Sequence, residues 1–562
     1  MNSKPGASGT RATPTLSVSC RRMTALVELG RLTSNDGFIR CGQGWTTPPS
    51  GAGGWPGPKF SPLGPLYAGG VLRSCLTAAA AGVAVYLLYF FGLNDVGLLG
   101  PDEPRYAAIG RQMALSGDWV TPRLWGEPWF EKPALLYWMT ALGFRAGLGA
   151  ELAPRLPVAL TSLAFLVFFR RRLEREFGCR ASWYATAMLA TSAGWVAFSH
   201  VAVMDLPLAA AFSASLLVSF DWIRTGSRKA AAIAGALLGL AVLAKGLVPV
   251  ALAAPLVWFG RRKPNALFWY GGAAVLCAAP WYVACAARHG RAFLEEFFWR
   301  HHLERFASET IQHVQPFWFY VPVLAAALVP WTPLLVCGFR REHWSDPRRR
   351  WLLVCFLFGF VFFSAAINKL PGYLLPLLPA ICALLGPAAA EARKLGGAVA
   401  TGAVLLVLAP WTAAVLPEAL RVGLSRAGRP ELPLGPLTAV LLLAGLVWWL
   451  ERSGRRDHAV AALAAGAAAG VLLLKLAAFP VLDREVSVRA LWRQIEPRRE
   501  LVCLEPLHRS WRYGLNYYAV TPLPACEERD LPFRVTQKPG LPAELAPARP
   551  SAVPGAGSLL GF

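Results

Sequence analysis

Residues 351–366 read WLLVCFLFGFVFFSAA, and after a short polar break residues 372–390 read GYLLPLLPAICALLGPAAA. A helix needs about 20 predominantly apolar residues to cross the roughly 30 Å hydrocarbon core of a bilayer. Comparable runs recur from Val71 onward and predict thirteen membrane spans, although the two on either side of Lys245 are either separate spans or one kinked helix. The predicted spans are 72–91, 153–169, 181–199, 204–223, 230–244, 247–260, 267–287, 317–338, 351–366, 372–390, 397–416, 435–450 and 458–478.

The composition supports the same fold class. The 562 residues are 55% hydrophobic and 16% charged, with a mean hydropathy of +0.42, whereas soluble domains carry about 25% charged residues. The 11 Cys are too sparse for a disulfide scaffold. A net charge of +23 would suit nucleic acid, but a soluble basic domain would not carry runs of membrane-spanning length. We therefore expect an α-helical polytopic membrane protein in a lipid bilayer, with no nucleic-acid partner.

Basic residues concentrate in every second connection between the predicted spans. Cytoplasmic connections are enriched in Lys and Arg, so the pattern predicts a cytoplasmic N-terminus and an extracytoplasmic C-terminal segment. The mild exception is the connection 417–434, which holds three Arg although its neighbours on that side hold almost none. The basic connections are 170–180, 224–229, 261–263, 340–350, 393–394 and 452–456.

Three compositional zones divide the chain. Residues 1–70 are rich in Gly, Pro, Ser, Thr and Arg and lack periodicity, which predicts either a disordered extension or sequence translated from a misplaced start. Residues 71–479 contain the spans. Residues 480–562 predict a small mixed α/β domain, in which Cys503 and Cys526 either pair, as an oxidising compartment would allow, or remain free thiols.

Two long connections on the extracytoplasmic side, 92–152 and 288–316, differ from the short ones. In the first, residues 105–113 are amphipathic and too short to span, and residues 133–144 are apolar and aromatic. Both segments suit helices that lie in the plane of the membrane interface.

Ionisable residues on this side fall at span ends or in the two long connections. Charges at membrane depth are costly and usually face an aqueous or ligand-filled cavity. The residues concerned are Asp102, Glu103, Arg105, Glu131, Lys132, Asp205, Lys245, His301, His302, Arg305 and Lys369.

The acidic residues have both catalytic and structural interpretations. Asp102 and Glu103 could serve as general base or metal ligands, or they could be acids favoured by the dipole at a helix N-terminus. Asp205 could face a cavity or act as the N-cap of a span.

The basic residues are equally open when each is considered alone. Lys132 and Lys369 could hold a phosphate as point charges, or make an ion pair and snorkel to the interface, respectively. His302 could ligate a metal or only donate hydrogen bonds, and Arg305 suits an oxyanion of phosphate geometry. Together, the mixture of cations and acids on one face favours a lipid-linked phosphate as the substrate.

The first long connection contains the blocks PDEPRYA (101–107), SGDWVTPRL (116–124) and FEKPALLYW (130–138). With these blocks the chain resembles the aminoarabinose transferase branch of the bacterial family related to dolichyl-phosphate-mannose-protein mannosyltransferases. The resemblance covers about 70–480, and the tail matches only in position and size. Further matching segments follow in order at 155–157, 204–207, 243–246, 302–306, 316–318 and 369–373.

This resemblance implies a GT-C glycosyltransferase fold with about thirteen transmembrane helices in the bacterial inner membrane. It implies a polyprenyl-phosphate-linked sugar as donor, with lipid A, a glycan or a protein as acceptor. Asp102, with Glu103 beside it, would be the catalytic or acceptor-side carboxylate. The other implied roles are donor-phosphate binding for Lys132, Arg305 and Lys369, cavity or substrate contacts for Arg105, Asp205 and Tyr373, and metal ligation for Glu131 and His302 if a divalent ion is present.

A transporter or flippase of polyprenyl-linked sugars is the alternative function. It would use the same headgroup chemistry, but it should show paired broken helices in repeated halves, with charges near the middle of the membrane. The sequence shows no such internal repeat, and its charges lie on one face. We therefore expect an enzyme.

Overall fold

A computed structural model describes residues 79–297, 314–428 and 434–547. The chain divides into two compact units, Met1–Val83 and Ala84–Phe562. The architecture below is that of the second unit, apart from the first residues of the helix Ala79–Tyr89.

Helices dominate the region of the predicted spans, and each predicted span coincides with helical residues. Seven helices in the described ranges are long and apolar enough to cross a membrane, and an eighth is added if the bent pair Phe317–Ala327 and Thr332–Gly338 is one span. The class is therefore confirmed, whereas the count of thirteen stays a prediction. The helices of this region are Ala79–Tyr89, Leu152–Thr191, Ala193–Phe198, Asp205–Thr225, Arg228–Lys245, Val248–Leu252, Ala254–Gly260, Pro264–Leu294, Phe317–Phe319, Tyr320–Ala327, Thr332–Leu334, Leu335–Gly338, Glu342–Ser345, Pro347–Ala365, Pro371–Leu377, Leu378–Glu391, Gly396–Leu405, Leu408–Val422, Leu434–Arg452 and Arg456–Glu485.

Two glycines explain where the helical rods break. Gly178 has φ 82° and divides the 40-residue helix Leu152–Thr191, at the place where the sequence predicts a connection between two spans. Gly246 has φ 79° and ends the helix Arg228–Lys245. Both values lie in the left-handed region, which glycine enters without the steric cost paid by other residues. The ambiguous segment around Lys245 is therefore broken at Gly246.

The basic connections meet on one face of the helical bundle. Arg172 pairs with Asp221 at 2.8 Å, joining two of them, and Arg180 pairs with Asp457 at 2.8 Å, joining two more. Arg349 pairs with Glu391 in the same way. These contacts confirm that the alternating basic clusters share a side, which we call the basic face.

The first long connection folds into two helices with a hairpin between them. The helices are Asp102–Ser116 and Leu135–Arg145, and strands β1 (Arg123–Leu124) and β2 (Glu127–Pro128) pair antiparallel around a tight turn at Trp125. Both helices were expected from the sequence. Their apolar sides pack into the main core of the protein, where residues such as Ile109 and Leu136 have no exposed surface.

Residues after the last span form the expected small α/β domain. Strand β3 (Val502–Leu504) pairs parallel with β4 (Phe533–Thr536), and β4 pairs antiparallel with β5 (Glu544–Pro547). The helical segments of this domain are Arg489–Ile495, Glu496–Leu501 and Arg509–Ala519.

This domain has its own core and one disulfide. The core includes Trp492, Leu515 and Val535. Cys503 and Cys526 are bonded to each other, which selects the paired alternative over free thiols.

Candidate active site

Glu103 and Arg155 form a buried ion pair that fixes the first connection to the helix Leu152–Thr191. Arg155 donates from Nε to Oε1 of Glu103 at 2.7 Å and from Nη2 to Oε2 at 2.8 Å. The backbone amides of Leu99 and Ala202 also donate to this carboxylate, at 2.8 and 2.9 Å. The remaining guanidinium hydrogens go to the carbonyls of Leu93, Val96 and Gly97.

This geometry corrects the catalytic role that the sequence predicts for Glu103. Its side chain has 0% exposure, so it cannot touch a substrate, and both of its oxygens are already hydrogen-bonded. A buried charge pair is tolerated when its remaining hydrogen-bonding groups are satisfied in this way. Glu103 is therefore a positioning residue in this structure.

Asp102, the preceding residue, has the opposite environment. Its side chain is 51% exposed, and the helix Asp102–Ser116 begins there without a side-chain cap. Arg105, one turn later, contacts Asp102 Oδ1 at 2.6 Å and Glu131 Oε2 at 3.0 Å through the same Nη2. Arg105 thus links the two carboxylates that the sequence assigns to catalysis and to metal ligation.

Aromatic rings surround this arginine. Its Cζ lies 5.3 Å from the ring centroid of Tyr106 and 5.6 Å from those of Trp129 and Tyr513, distances at which cation–π attraction operates. Tyr513 belongs to the C-terminal domain and also stacks on Trp125, with centroids 5.6 Å apart. The C-terminal domain therefore contributes directly to the environment of Arg105.

The carboxylates set the protonation of this cluster. Burial opposes the charge of Arg105, but Glu131 and Asp102 outweigh it and raise the pKa of the guanidinium above its ordinary value. Burial raises the pKa of the Tyr106 phenol, and the same two carboxylates add to that effect. The cluster thus holds a permanent cation beside a neutral phenol.

A cleft opens next to Glu131 and Lys132. Its empty volume is about 860 Å³ when the open side is included. One part of its lining carries the ammonium groups of Lys132 and Lys245, and the rest is largely apolar. The lining residues are Glu131, Lys132, Leu208, Lys245, Val248, Phe362, Phe363, Ala366, Asn368 and Tyr373.

Asp205 and Lys245 hold each other at the border of this cleft. Lys245 Nζ lies 2.6 Å from Asp205 Oδ1, and each side chain is 15% exposed. The ammonium also lies 4.6 Å from the ring centroid of Tyr373. The helix Asp205–Thr225 has Met204 as its N-cap and no side-chain cap, so Asp205 serves the ion pair rather than the cap.

The structure brings Lys245 into a site to which the sequence analysis gave it no role. The signal was available, because Asp205 and Lys245 lie at the ends of neighbouring spans on the same side. A carboxylate at membrane depth calls for a nearby cation, and the topology supplies this one.

Lys369 lies beside the cleft and is 4% exposed. Its ammonium donates to the carbonyl oxygens of Gln315, at 2.8 Å, and Ala366. Its neighbours Ala366 and Asn368 line the cleft, whereas the lysine itself does not. This placement differs from the predicted phosphate contact, because the ammonium is used to join two backbone segments of the wall.

Two of the predicted site residues, His302 and Arg305, lie outside the described residues. Within 79–297, 314–428 and 434–547, no group of three or more His, Cys, Asp or Glu side chains forms a metal site. Glu131, the other predicted metal ligand, has Arg105 at 3.0 Å and Lys132 at 3.4 Å from its carboxylate oxygens. Two adjacent cations do not suit a divalent ion, so metal binding stays a prediction and no step below uses it.

The arrangement can bind a lipid-linked anion. Lysine ammonium groups bind phosphate oxygens as point charges, and the apolar wall can accept a hydrocarbon chain. Asp102, half-exposed and next to a permanent cation, remains an ionised carboxylate that a reactant can reach. A bundle of apolar helices, a folded first connection carrying these charges and a small α/β domain together define the fold of the GT-C membrane glycosyltransferases.

Comparison with known proteins agrees with this class. A family described as dolichyl-phosphate-mannose-protein mannosyltransferase matches residues 74–287. The chain is 38% identical over 340 residues to an undecaprenyl phosphate-alpha-4-amino-4-deoxy-L-arabinose arabinosyl transferase of Pseudomonas aeruginosa, covering 57% of this chain and 60% of that relative. It is 35% identical over 326 residues to arabinosyl transferase 2 of the same description from Pseudomonas fluorescens, covering 54% and 55%.

A solved structure shows the same fold over more of the chain. The crystal structure of ArnT from Cupriavidus metallidurans bound to undecaprenyl phosphate aligns with a TM-score of 0.68 at 25% identity, covering 83% of this chain and 87% of that one. The resemblance to the aminoarabinose transferases is therefore confirmed. The chain spans about 60% of the length of the first curated relative.

Proposed function

We propose that this protein is a glycosyltransferase that moves a sugar from an undecaprenyl-phosphate donor to lipid A, a glycan or a protein. The observation that carries the proposal is the cleft in which Lys132 and Lys245 adjoin a largely apolar wall. That combination matches a ligand made of one phosphate and a long hydrocarbon chain. The relatives are arabinosyl transferases by name, and the similar ArnT crystal structure is one bound to undecaprenyl phosphate.

The donor phosphate would lie against Lys132 and Lys245, with the prenyl chain along Val248, Phe362 and Phe363. When the bond between sugar and phosphate breaks, negative charge develops on the leaving phosphate. Cations already positioned there stabilise that charge more in the transition state than in the ground state, which is how such groups accelerate a reaction. Asp205 holds Lys245 in place for this role.

Asp102 would act toward the acceptor. If the acceptor is a hydroxyl group, Asp102 accepts its proton as general base. If the acceptor is a phosphate, as on lipid A, no base is needed, and Asp102 with Arg105 positions the sugar. In both cases Glu103 and Arg155 fix the start of the helix that carries Asp102.

We place the protein in the bacterial inner membrane with this site and the C-terminal domain on the extracytoplasmic side. The basic face, which holds the arginine clusters of the alternate connections, would then be cytoplasmic. The Cys503–Cys526 bond supports this orientation, because disulfides persist in the periplasm and are rare in the cytosol.

Transfer can be tested in liposomes that contain the full-length protein, radiolabelled undecaprenyl-phosphate aminoarabinose and lipid A. We expect label in lipid A with the wild type, and at least tenfold less with Lys132→Ala at limiting donor, since a charge-assisted contact contributes about 1.5–3 kcal/mol. Lys229→Ala, an exposed lysine of the basic face, is the matched control and should keep wild-type transfer. Movement of intact donor across the bilayer without any labelled product would instead favour a flippase.

A further inference from the structure

A second cavity lies between the C-terminal domain and the helical bundle. Its empty volume is about 1050 Å³ with the open side included, and it shares no lining residue with the donor cleft. Four separate parts of the chain build it: the segment before Asp102, the end of the helix Leu408–Vall422's neighbour in sequence at 420–421, residue 486, and two stretches of the C-terminal domain at 506–511 and 537–541.

The end of the helix Leu408–Val422 and the loop 537–541 close one wall of this cavity. A Cβ on Gly540 would lie 3.1 Å from Val422 Cγ1, so the loop packs directly against the helix end. The other wall includes Gly100, two residues before Asp102. The cavity therefore lies next to the exposed carboxylate of the candidate active site, on a side that the donor cleft does not occupy.

Cations dominate the charged lining of this cavity. Arg421, His508 and Lys538 line it, and the nearest carboxylate to Arg421 is Glu485, whose Oε2 lies 3.6 Å from Nη2. The Nε of Arg421 is buried and makes no hydrogen bond within the described part of the chain. A buried donor without a partner costs about 1–3 kcal/mol, which an anionic ligand placed there would remove.

The same arginine explains the exception in the charge pattern. Arg421 belongs to the connection 417–434, which carries three Arg on the side where the other short connections carry almost none. An orienting signal would belong to the basic face. A binding role accounts for an arginine on this side, because the residue lines a cavity.

Apolar side chains lie at the same cavity. Leu420 and Leu541 are 50% and 51% exposed, although both are large and hydrophobic. A ligand that carries hydrocarbon next to its anionic group would cover them. A small soluble anion would leave them in water.

We propose that this cavity binds the phosphate-bearing headgroup of a lipid acceptor, with Arg421 and Lys538 on the phosphate. Guanidinium and ammonium groups make short, charge-assisted hydrogen bonds to phosphate oxygens. The inference rests on the proposed function, since it names the acceptor of that reaction as a phosphorylated lipid. The donor and the acceptor then enter from separate cavities.

The test measures transfer by the full chain in lipid nanodiscs at saturating donor, with lipid A and with dephosphorylated lipid A as acceptors. For lipid A, Lys538→Ala and Arg421→Ala should each raise the acceptor KM roughly tenfold, as expected for loss of one charge-assisted contact, and leave the donor KM unchanged. Arg421→Lys, which keeps the charge, should recover part of the loss. With dephosphorylated lipid A, the wild type should already show the raised KM, and the variants should add little.

Arg499→Ala is the matched control, because Arg499 is exposed, pairs with its neighbour Glu500 at 3.3 Å and lies outside the cavity. It should keep the wild-type acceptor KM. An equal rise of KM for both acceptors in the Arg421 and Lys538 variants, a rise in the donor KM, or no change would overturn the proposal.

A binding measurement separates failure of this inference from failure of the proposed function. Native mass spectrometry of the full chain, without donor, should show several-fold less bound lipid A in Lys538→Ala than in the wild type or Arg499→Ala. If the wild type transfers no sugar but this difference appears, the proposed function fails and the cavity stands. Retention of inorganic phosphate without retention of lipid A would overturn the lipid headgroup as the ligand.

Discussion

Asp102 and Glu103 are adjacent carboxylates in the first turn of one helix, and they have opposite environments. Glu103 has no exposed side-chain surface and a bidentate partner in Arg155. Asp102 is 51% exposed and has a single contact, to Arg105, which it shares with Glu131. Successive residues of a helix point about 100° apart, so one acid faces the core and the other faces the surface.

The difference separates holding from reacting. The Glu103–Arg155 pair satisfies backbone groups of residues 93–97 and of Ala202, and thereby fixes the segment that presents Asp102. The Asp102–Arg105–Glu131 group keeps accessible charge next to the cleft. Substitutions in the first pair should act mainly on stability, and substitutions in the second mainly on turnover.

The largest effect is expected for Asp102→Asn. If Asp102 is the general base, kcat should fall by a factor on the order of 10²–10⁴, with an unchanged thermal unfolding midpoint because the side chain is half-exposed. Steady-state transfer and thermal unfolding in detergent measure both quantities. Glu127→Gln, an exposed acid of the neighbouring hairpin, should leave both at wild-type values, and an Asp102→Asn enzyme with full kcat would remove Asp102 from the chemistry.

Glu103→Gln should act on folding. It leaves the Arg155 guanidinium buried without its counter-charge, and breaking a buried pair in this way costs about 3–5 kcal/mol of unfolding free energy. We expect a lower unfolding midpoint and a lower yield of folded protein, whereas kcat per folded molecule changes far less than in Asp102→Asn. A wild-type midpoint combined with a hundredfold loss of kcat would return Glu103 to the catalytic group.

Lys245→Ala should weaken donor binding. Loss of a charge-assisted contact to phosphate corresponds to about 1.5–3 kcal/mol, so the donor KM should rise tenfold or more while the acceptor KM stays constant. Asp205→Asn should produce a smaller rise, because it only releases Lys245 from its partner. Equal donor KM values in the wild type and Lys245→Ala would show that the phosphate lies elsewhere.

Tyr513→Ala should have the smallest effect of the four. It removes one ring beside Arg105, and a cation–π contact contributes about 0.5–2 kcal/mol, so a few-fold loss of kcat is expected without a loss of stability. Tyr513→Phe keeps the ring and should retain wild-type turnover. If Ala and Phe behave alike, the C-terminal domain does not act through Arg105.

Much of the fold could be predicted from apolar runs and basic connections. Those signals are local, since a run of membrane-spanning length is hydrophobic whatever its neighbours are. The sequence also marked Asp102, Glu131, Lys132 and Asp205, because ionisable groups at membrane depth are rare and costly.

The roles of individual charges could not be predicted in the same way. Asp102 and Glu103 are alike in sequence, and only the position of Arg155, 52 residues away, distinguishes them. Lys369 looks like a free cation in the sequence, yet its ammonium is bonded to the backbone of residues 315 and 366. Lys245 gained its role only from its distance to Asp205.

The sequence by itself determined that this is a membrane protein built of apolar helices, that its basic clusters share one face, and that a second set of charges lies apart from them. Hydrophobicity and charge act at each segment separately, so they can be read along the chain. The tertiary structure decided which carboxylate is buried, which lysines line the cleft and which arginine lines the cavity under the C-terminal domain. Those outcomes depend on burial and on distances of a few ångströms between residues that are far apart in sequence, and only the packed helices set them.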